Sequence, residues 1–183
     1  MNILILGGGG REHSLAWAIL QNPKCDRLVV APGNAGIAQI AECADFDVMD
    51  GTAVLEFVQE HAIDFVVIGP EAPLAAGVSD ALRAANILVF GPSKAAAELE
   101  VSKAFTKAIC DAASAPTAAY GHFTDAAAAI AYVQTQGAPI VVKADGLAAG
   151  KGVIIAETVQ EAEAAIEDMF DGSVGEAGAE VVI

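Results

Sequence analysis

Residues 140–155 read I-V-V-K-A-D-G-L-A-A-G-K-G-V-I-I. Two short β-branched runs, Ile140, Val141, Val142 and Val153, Ile154, Ile155, bracket a loop of glycine and alanine. Apolar runs of this kind bounded by glycines predict strands. The loop carries Gly146, Gly150 and Gly152, with Lys143 at its entrance and Lys151 near its exit. Without a Cβ, glycine lets backbone N–H groups come close to an anion, and lysine adds a point charge. The stretch therefore predicts a phosphate clamp built as a strand–loop–strand unit. The loop alone also allows an ordinary glycine-rich hairpin with a solvated lysine. It is not a Walker A loop, which has the form G-x-x-x-x-G-K-[ST] and leads from a strand into a helix. Here Gly152 stands where the magnesium-binding hydroxyl would be, and the loop leads into a second strand.

Working outward, the chain opens on an apolar run over 2–6 followed by G-G-G-G-R-E-H at 7–13. Leu15, Ala18 and Ile19 then recur at helical spacing, which predicts a helix over 14–21. Strand, glycine turn and helix open a dinucleotide-binding-like unit with an anion site at the helix N-terminus. A bound NAD would call for an acid at the end of the second strand to hold ribose. That strand, over 27–31, ends instead in Pro32, Gly33 and Asn34, while Asp26 lies at its other end. Phosphate binding at the turn is retained and NAD binding is disfavoured.

Further strands are predicted near 46–48, over 64–68 and over 88–90, with helices over 52–61 and from Pro73 to about Ala85. The alternation predicts a parallel sheet with right-handed crossovers. Ligands of such sheets sit at the carboxyl ends of strands. The unusual polar turns fall there: 7–12, 32–34 and 69–71. Residues 93–113 read as helical, with Ser102 capping a helix that shows Lys103 in its first turn. A lysine there opposes the helix dipole, which points to another task for Lys103, although a solvated lysine satisfies the same pattern. From Pro116 the pattern becomes strand over 117–123, helix capped by Thr124, the glycine-loop hairpin, a helix over 159–170 capped by Thr158, and a strand over 181–183.

Composition narrows the classes of function. The chain has 183 residues, 55% hydrophobic and 18% charged, enough to bury a core in one or two small domains. With 24 acids against 9 bases the net charge is −15, which argues against nucleic acid as partner but leaves room for a small phosphorylated ligand. No apolar run is long enough for a membrane span, and the start shows no basic leader, so a cytoplasmic protein is expected. Cys25, Cys43 and Cys110, like His13, His61 and His122, lack metal-ligand spacing. They read as reduced thiols and ordinary histidines. Oligomeric state has no signal in the sequence.

The motifs converge on one family. G-G-G-G-R-E-H at 7–13, A-P-G-N-A-G at 31–36, G-P-E-A-P-L at 69–74, G-P-S-K-A-A-A at 91–97, S-K-A-F at 102–105 and K-A-D-G-L-A-A-G-K-G-V at 143–153 occur in order. Together they resemble the phosphoribosylamine–glycine ligase family along the whole chain. Val101 departs from a glycine usual before S-K-A-F, and Ser114 and Ala115 replace a common Gly-Ile pair; neither is a charged contact.

The resemblance implies an α/β protein. A Rossmann-like parallel sheet that binds phosphoribosylamine would occupy 1–100. A helical connector over 101–115 would follow, then the small α+β subdomain of an ATP-grasp fold over 116–183, cut short at its C-terminus. It implies an ATP-dependent carbon–nitrogen ligase of purine biosynthesis. That enzyme joins phosphoribosylamine to glycine through a glycyl phosphate, using ATP with magnesium or manganese and yielding glycinamide ribonucleotide, ADP and phosphate. By the same resemblance, Lys103, Lys143, Gly146, Ala148, Gly150, Lys151 and Gly152 would bind ATP. Gly9, Gly10, Arg11, Glu12, Asn34 and Glu71 would bind the ribosylamine. The metal ligands, the adenine contacts and most glycine contacts would lie beyond Ile183, and no catalytic residue is assigned within 1–183. The expectation is an N-terminal portion without turnover of its own. The alternatives are another ATP-grasp ligase, or a non-catalytic module for a ribose phosphate or nucleotide.

Overall fold

The computed structural model describes residues 1–148, 152–173, 175 and 179–183. It divides into two compact units, Met1–Ala97 and Glu98–Ile183.

In the first unit, β1 (Asn2–Gly7), β2 (Arg27–Pro32), β3 (Glu42–Cys43), β4 (Phe65–Ile68) and β5 (Leu88–Phe90) form one sheet in the order β3-β2-β1-β4-β5, every pair parallel. Successive side chains of a strand point to opposite faces. Leu4, Leu6, Val29, Ala31, Val66 and Ile68 therefore face one core, and Ile3, Ile5, Leu28, Val30 and Val67 face another. The first core is closed by Val54 and Val58 of α2 (Gly51–Glu60) and by Val78 and Leu82 of α4 (Val78–Ala84). The second is closed by Ala16 of α1 (Gly10–Leu20) and by Ile37. Burial on both faces is why these strands read as unbroken apolar runs. Truncating a side chain such as Leu4, fully buried at the sheet centre, would cost about 2–5 kcal/mol.

Three local expectations are corrected here. The helix after the first strand starts at Gly10 rather than Ser14, because Glu12 at its third position accepts the Gly9 N–H at 2.6 Å and draws the end of the glycine run into the first turn. The third strand is Glu42–Cys43, not 46–48. Ala44, Phe46 and Val48 alternate and pack against the first core, Phe46 stacking on Phe57 at 4.6 Å, so their pattern is that of a half-buried connection. The helix expected from Pro73 begins at Glu71 as α3 (Glu71–Ala76), with Pro73 in its first turn. It stops at Gly77, whose φ of 92° breaks it from α4.

The boundary between the units falls within α5 (Lys94–Val101). In the second unit α6 (Lys103–Ala113) starts after Ser102, whose extended backbone separates it from α5. The strands β6 (His122–Phe123), β7 (Ile140–Ala144), β8 (Val153–Ala156) and β9 (Val181–Val182) form an antiparallel sheet in the order β6-β9-β7-β8. Against one face pack α7 (Ala126–Gln136) and α8 (Val159–Phe170), burying Ala129, Val133, Ala162 and Ile166 on Val142, Ala144, Ala156 and Val181. Thr158 caps α8, as the sequence predicts, and the structure adds Glu161 to complete a capping box.

Two more corrections belong to this unit. The strand expected over 117–123 shrinks to His122–Phe123. The residues before it are held by α6 instead: Lys107 Nζ donates to Thr117 Oγ1 and Ala118 O, both at 2.7 Å, and Tyr120 donates to Asp111 at 2.7 Å. The cap of α7 is Asp125, which accepts from Ala128 N at 2.9 Å, rather than the neighbouring Thr124.

Candidate functional site

Two surfaces carry the chemistry-bearing residues, one in each unit. In the first unit it is the carboxyl edge of the parallel sheet. β1 delivers Gly7 to the turn before α1, β2 delivers Gly33 and Asn34, and β4 delivers Gly69 and Glu71. The turns are stitched together by backbone and side chain. Gly33 N donates to Gly7 O at 3.3 Å, and Asn34 Nδ2 donates to Gly8 O at 2.8 Å. Asn34 Oδ1 in turn accepts from Gly36 N and Ile37 N at 2.8 and 2.9 Å. A Cβ at Gly8 would come within 2.4 Å of Gly33 O, so only glycine allows this approach.

Glu12 lies beneath the turns and is only 3% exposed. Its Oε2 accepts from Gly9 N, and its Oε1 accepts from Arg11 Nε at 3.1 Å. Any Cβ at Gly69 would stand 2.2 Å from Glu12 Oε1, and one at Gly7 would stand 2.6 Å from its Cγ. Glycine at 7 and 69 thus makes room for a buried carboxylate, and that carboxylate shapes the turn. A buried charge needs such partners to be tolerable.

Arg11 faces outward and bridges two carboxylates, donating through Nη1 to Glu71 Oε1 at 3.0 Å as well as through Nε to Glu12. The Glu71 pair first, and Glu12 second, raise the Arg11 pKa above its ordinary value. The Arg11 hydrogen bond, followed by a backbone N–H at the start of α3, holds the Glu71 carboxyl below the usual glutamate range. The first intrahelical bond of α1 is made by His13 N to Gly9 O. The N–H groups of Gly10 and Arg11 precede it and lie where a helix favours an anion.

The six residues expected at this edge therefore come together but divide by role. Gly9, Gly10, Arg11 and Glu71 reach the surface or its margin, whereas Glu12 and Asn34 spend their side chains on holding the turns.

In the second unit the surface is the stem of the glycine loop. Lys143 lies on β7 opposite Val153 and Val182, on the face away from the α7 and α8 core. Among the described residues its ammonium has no hydrogen-bonding or ionic partner. Lys103 Nζ donates to Gly146 O at 3.2 Å. Gly146 has a φ of 96°, and Gly152 is buried, where a Cβ would lie 2.6 Å from that of Ala148 and 3.1 Å from that of Ala144. Lys143, Gly146, Ala148 and Gly152 thus belong to one stem, and Lys103 reaches it from the start of α6. Gly150 and Lys151 lie outside the described residues.

Sequence reasoning missed Asp145. Its Oδ1 accepts from Lys103 N at 2.5 Å and Ala104 N at 3.1 Å, and its Oδ2 accepts from Ser102 Oγ at 2.7 Å. The available signal was an acid inside a loop otherwise suited to anions. Such a residue must find donors of its own.

The family described as phosphoribosylglycinamide synthetase, N domain, matches residues 1–100, and its ATP-grasp (A) domain matches residues 101–183. The chain belongs to the phosphoribosylglycinamide synthetase family. A phosphoribosylamine–glycine ligase of Agrobacterium fabrum is 61% identical over 183 residues, covering all of this chain and 43% of the relative. The crystal structure of a phosphoribosylamine–glycine ligase from Thermotoga maritima superposes with a TM-score of 0.76 at 27% identity, again over 100% of this chain and 43% of that one. The biotin carboxylase domain of a 2-oxoglutarate carboxylase from Hydrogenobacter thermophilus, solved with MgADP and bicarbonate, shares the fold with a TM-score of 0.74 at 18% identity. The chain thus spans less than half the length of the synthetase relatives it matches. As expected from the sequence, the fold is α/β, with a parallel sheet followed by the small antiparallel sheet of an ATP-grasp protein. Among the described residues no helix is long and apolar enough to cross a membrane.

Proposed function

We propose that the protein carrying this chain is an ATP-dependent carbon–nitrogen ligase that joins 5-phosphoribosylamine to glycine in purine biosynthesis, in the cytoplasm. The observation that carries the reading is identity of 61% along the entire chain to a phosphoribosylamine–glycine ligase. The donor set of each surface supports it.

Residues 1–100 would bind the ribosylamine. The helix N-terminus that begins at Gly9 and Gly10, where the Gly10 and Arg11 N–H groups precede the first intrahelical bond, suits a phosphate together with the Arg11 guanidinium. Glu71, held ionised by Arg11, would accept hydrogen bonds from ribose hydroxyls or the amine. Glu12 and Asn34 would act by keeping the turns in shape.

Residues 101–115 would connect to an ATP-binding subdomain over 116–183. Lys103 and Lys143 would place two ammonium groups against nucleotide phosphates, and residues 146–152, including Gly146, Ala148, Gly150, Lys151 and Gly152, would close over them and exclude water. Positive charge at fixed positions stabilises phosphoryl transfer more than a side-chain nucleophile would. ATP, with magnesium or manganese, supplies the phosphoryl group that turns the glycine carboxylate into an acyl phosphate. The amine then displaces phosphate from the acyl carbon. Among the described residues no group of three or more His, Cys, Asp or Glu side chains is placed to hold a metal ion.

The test is ADP release by the full-length gene product with ATP, magnesium, glycine and freshly generated phosphoribosylamine, omitting each substrate in turn. ADP formed only when both co-substrates are present supports the reading. ADP formed with bicarbonate or another carboxylate in place of glycine would replace it with a different ATP-grasp ligase. Nucleotide or ribose-phosphate binding without ADP release would reduce it to a binding module.

A further inference from the structure

We propose that Asp145 is a positioning residue: it fastens the entry of the glycine loop to the start of α6 and thereby sets Lys103 for nucleotide phosphates. The inference rests on the ATP-dependent reading above and adds a residue to it.

The first N–H groups of a helix lack intrahelical partners. In α6 the Phe105 N–H is satisfied by Ser102 Oγ at 3.0 Å, and the Lys103 and Ala104 N–H groups are both satisfied by Asp145 Oδ1 from 42 and 41 residues away. Ser102 uses its own proton to reach Asp145 Oδ2 at 2.7 Å. One carboxylate thus accepts three hydrogen bonds at the positive end of a helix, where it gains from both the donors and the dipole. This resolves the oddity of a lysine in the first turn, since the carboxylate offsets the dipole that Lys103 opposes.

The same loop then holds the other end of that lysine, because Gly146, the next residue, accepts from Lys103 Nζ. Asp145 is itself anchored, its N–H donating to Glu180 O at 2.8 Å as a continuation of the pairing between β7 and β9. Sheet, loop entry, helix start and the Lys103 ammonium are therefore one hydrogen-bonded assembly within the second unit.

A purely structural cap would affect stability alone. The positioning role is tested with Asp145→Asn, which keeps the shape, in the full-length gene product, with Ser102→Ala as a second variant that leaves the Oδ1 bonds in place. For Asp145→Asn the KM for ATP is expected to rise roughly tenfold or more, with the KM for glycine and for phosphoribosylamine within about twofold of the parent. Ser102→Ala is expected to shift the KM for ATP less. Hydrogen exchange on the full-length gene product is expected to show faster exchange at the Lys103 and Ala104 amides in Asp145→Asn. An active parent with an Asp145→Asn variant whose KM for ATP is unchanged while its thermal midpoint falls would overturn the positioning role alone. A parent with no ATP-dependent turnover would overturn the ligase reading, and this inference with it.

Discussion

Arg11 and Glu71, 60 positions apart in the chain, meet with Nη1 and Oε1 at 3.0 Å, joining the first turn of α1 to the first residue of α3. The pair is largely exposed, with side-chain accessibilities of 55% and 40%, so solvent screens it and its contribution to stability is small, on the order of 0–1 kcal/mol. Its weight is in geometry and protonation. A carboxyl held below its usual range contributes stability above the unfolded pKa and loses it as pH falls through the folded value. The Glu71 contribution is therefore present at neutral pH and disappears only in acid. NMR titration is expected to show Glu71 ionising below ordinary glutamates, and Arg11→Gln is expected to move it upward. An unchanged titration in Arg11→Gln would show that the pair does not form in solution.

If Glu71 holds the ribosylamine, Glu71→Gln raises the KM for that substrate by roughly tenfold or more while the KM for ATP stays within about twofold. Steady-state kinetics of the full-length gene product, varying one substrate at a time, measure this. An unchanged ribosylamine KM removes Glu71 from the site.

Gly69→Ala and Gly10→Ala separate steric need from mere glycine content. The first would drive a Cβ to 2.2 Å from the buried Glu12 carboxylate, whereas the second has open space around it. Gly69→Ala is expected to destabilise the first unit by about 1–3 kcal/mol through overpacking. Gly10→Ala, at the first position of a helix, is expected to change stability by less than about 1 kcal/mol, in the stabilising direction. Urea unfolding followed by circular dichroism distinguishes them, and equal midpoints for the two variants would contradict the buried position of Glu12.

Lys143 offers the reverse case. Its ammonium has no partner among the described residues, so Lys143→Gln is expected to leave stability within about 0.5 kcal/mol of the parent. Loss of a fixed charge facing transferred phosphate is expected to lower kcat/KM for ATP by roughly a hundredfold or more. A variant that unfolds readily yet turns over ATP normally when folded would assign Lys143 to the sheet rather than to the nucleotide.

The cap of α7 can be read by a neighbouring pair of substitutions. Asp125→Ala removes the bond to Ala128 N and is expected to cost about 1 kcal/mol, whereas Thr124→Ala is expected to cost less than about 0.5 kcal/mol. Equal losses in thermal midpoint would return the cap to Thr124.

What the sequence by itself determined is what depends on near neighbours. Burial on both faces makes β1, β2 and β4 continuous apolar runs, and their alternation with helices is enough to predict a parallel sheet whose polar turns gather at one edge. Ser102 and Thr158 cap helices within a few residues of themselves, so both were legible. The strand–glycine–strand unit over 140–155 was legible from β-branched runs on either side of a loop. Where two adjacent residues could each serve, as Thr124 and Asp125 could at α7, pattern alone chose the wrong one.

Only the tertiary structure decided what depends on partners far along the chain. Glu12 and Glu71 are both acids in polar turns, but one is enclosed by Gly7, Gly9 and Gly69 and the other is left at the margin in the grip of Arg11. Asn34 turns inward because Gly8 O, 26 residues away, arrives beside it. Asp145 becomes a helix cap because β7 ends where α6 begins, 42 residues earlier in the chain. A motif states which donors and acceptors are available. Whether each is used to hold the fold or left for a ligand is settled by the packing of distant segments, because a particular proton or lone pair used within the protein is not available to a ligand, while a guanidinium, an ammonium or a carboxylate at the margin keeps others in reserve.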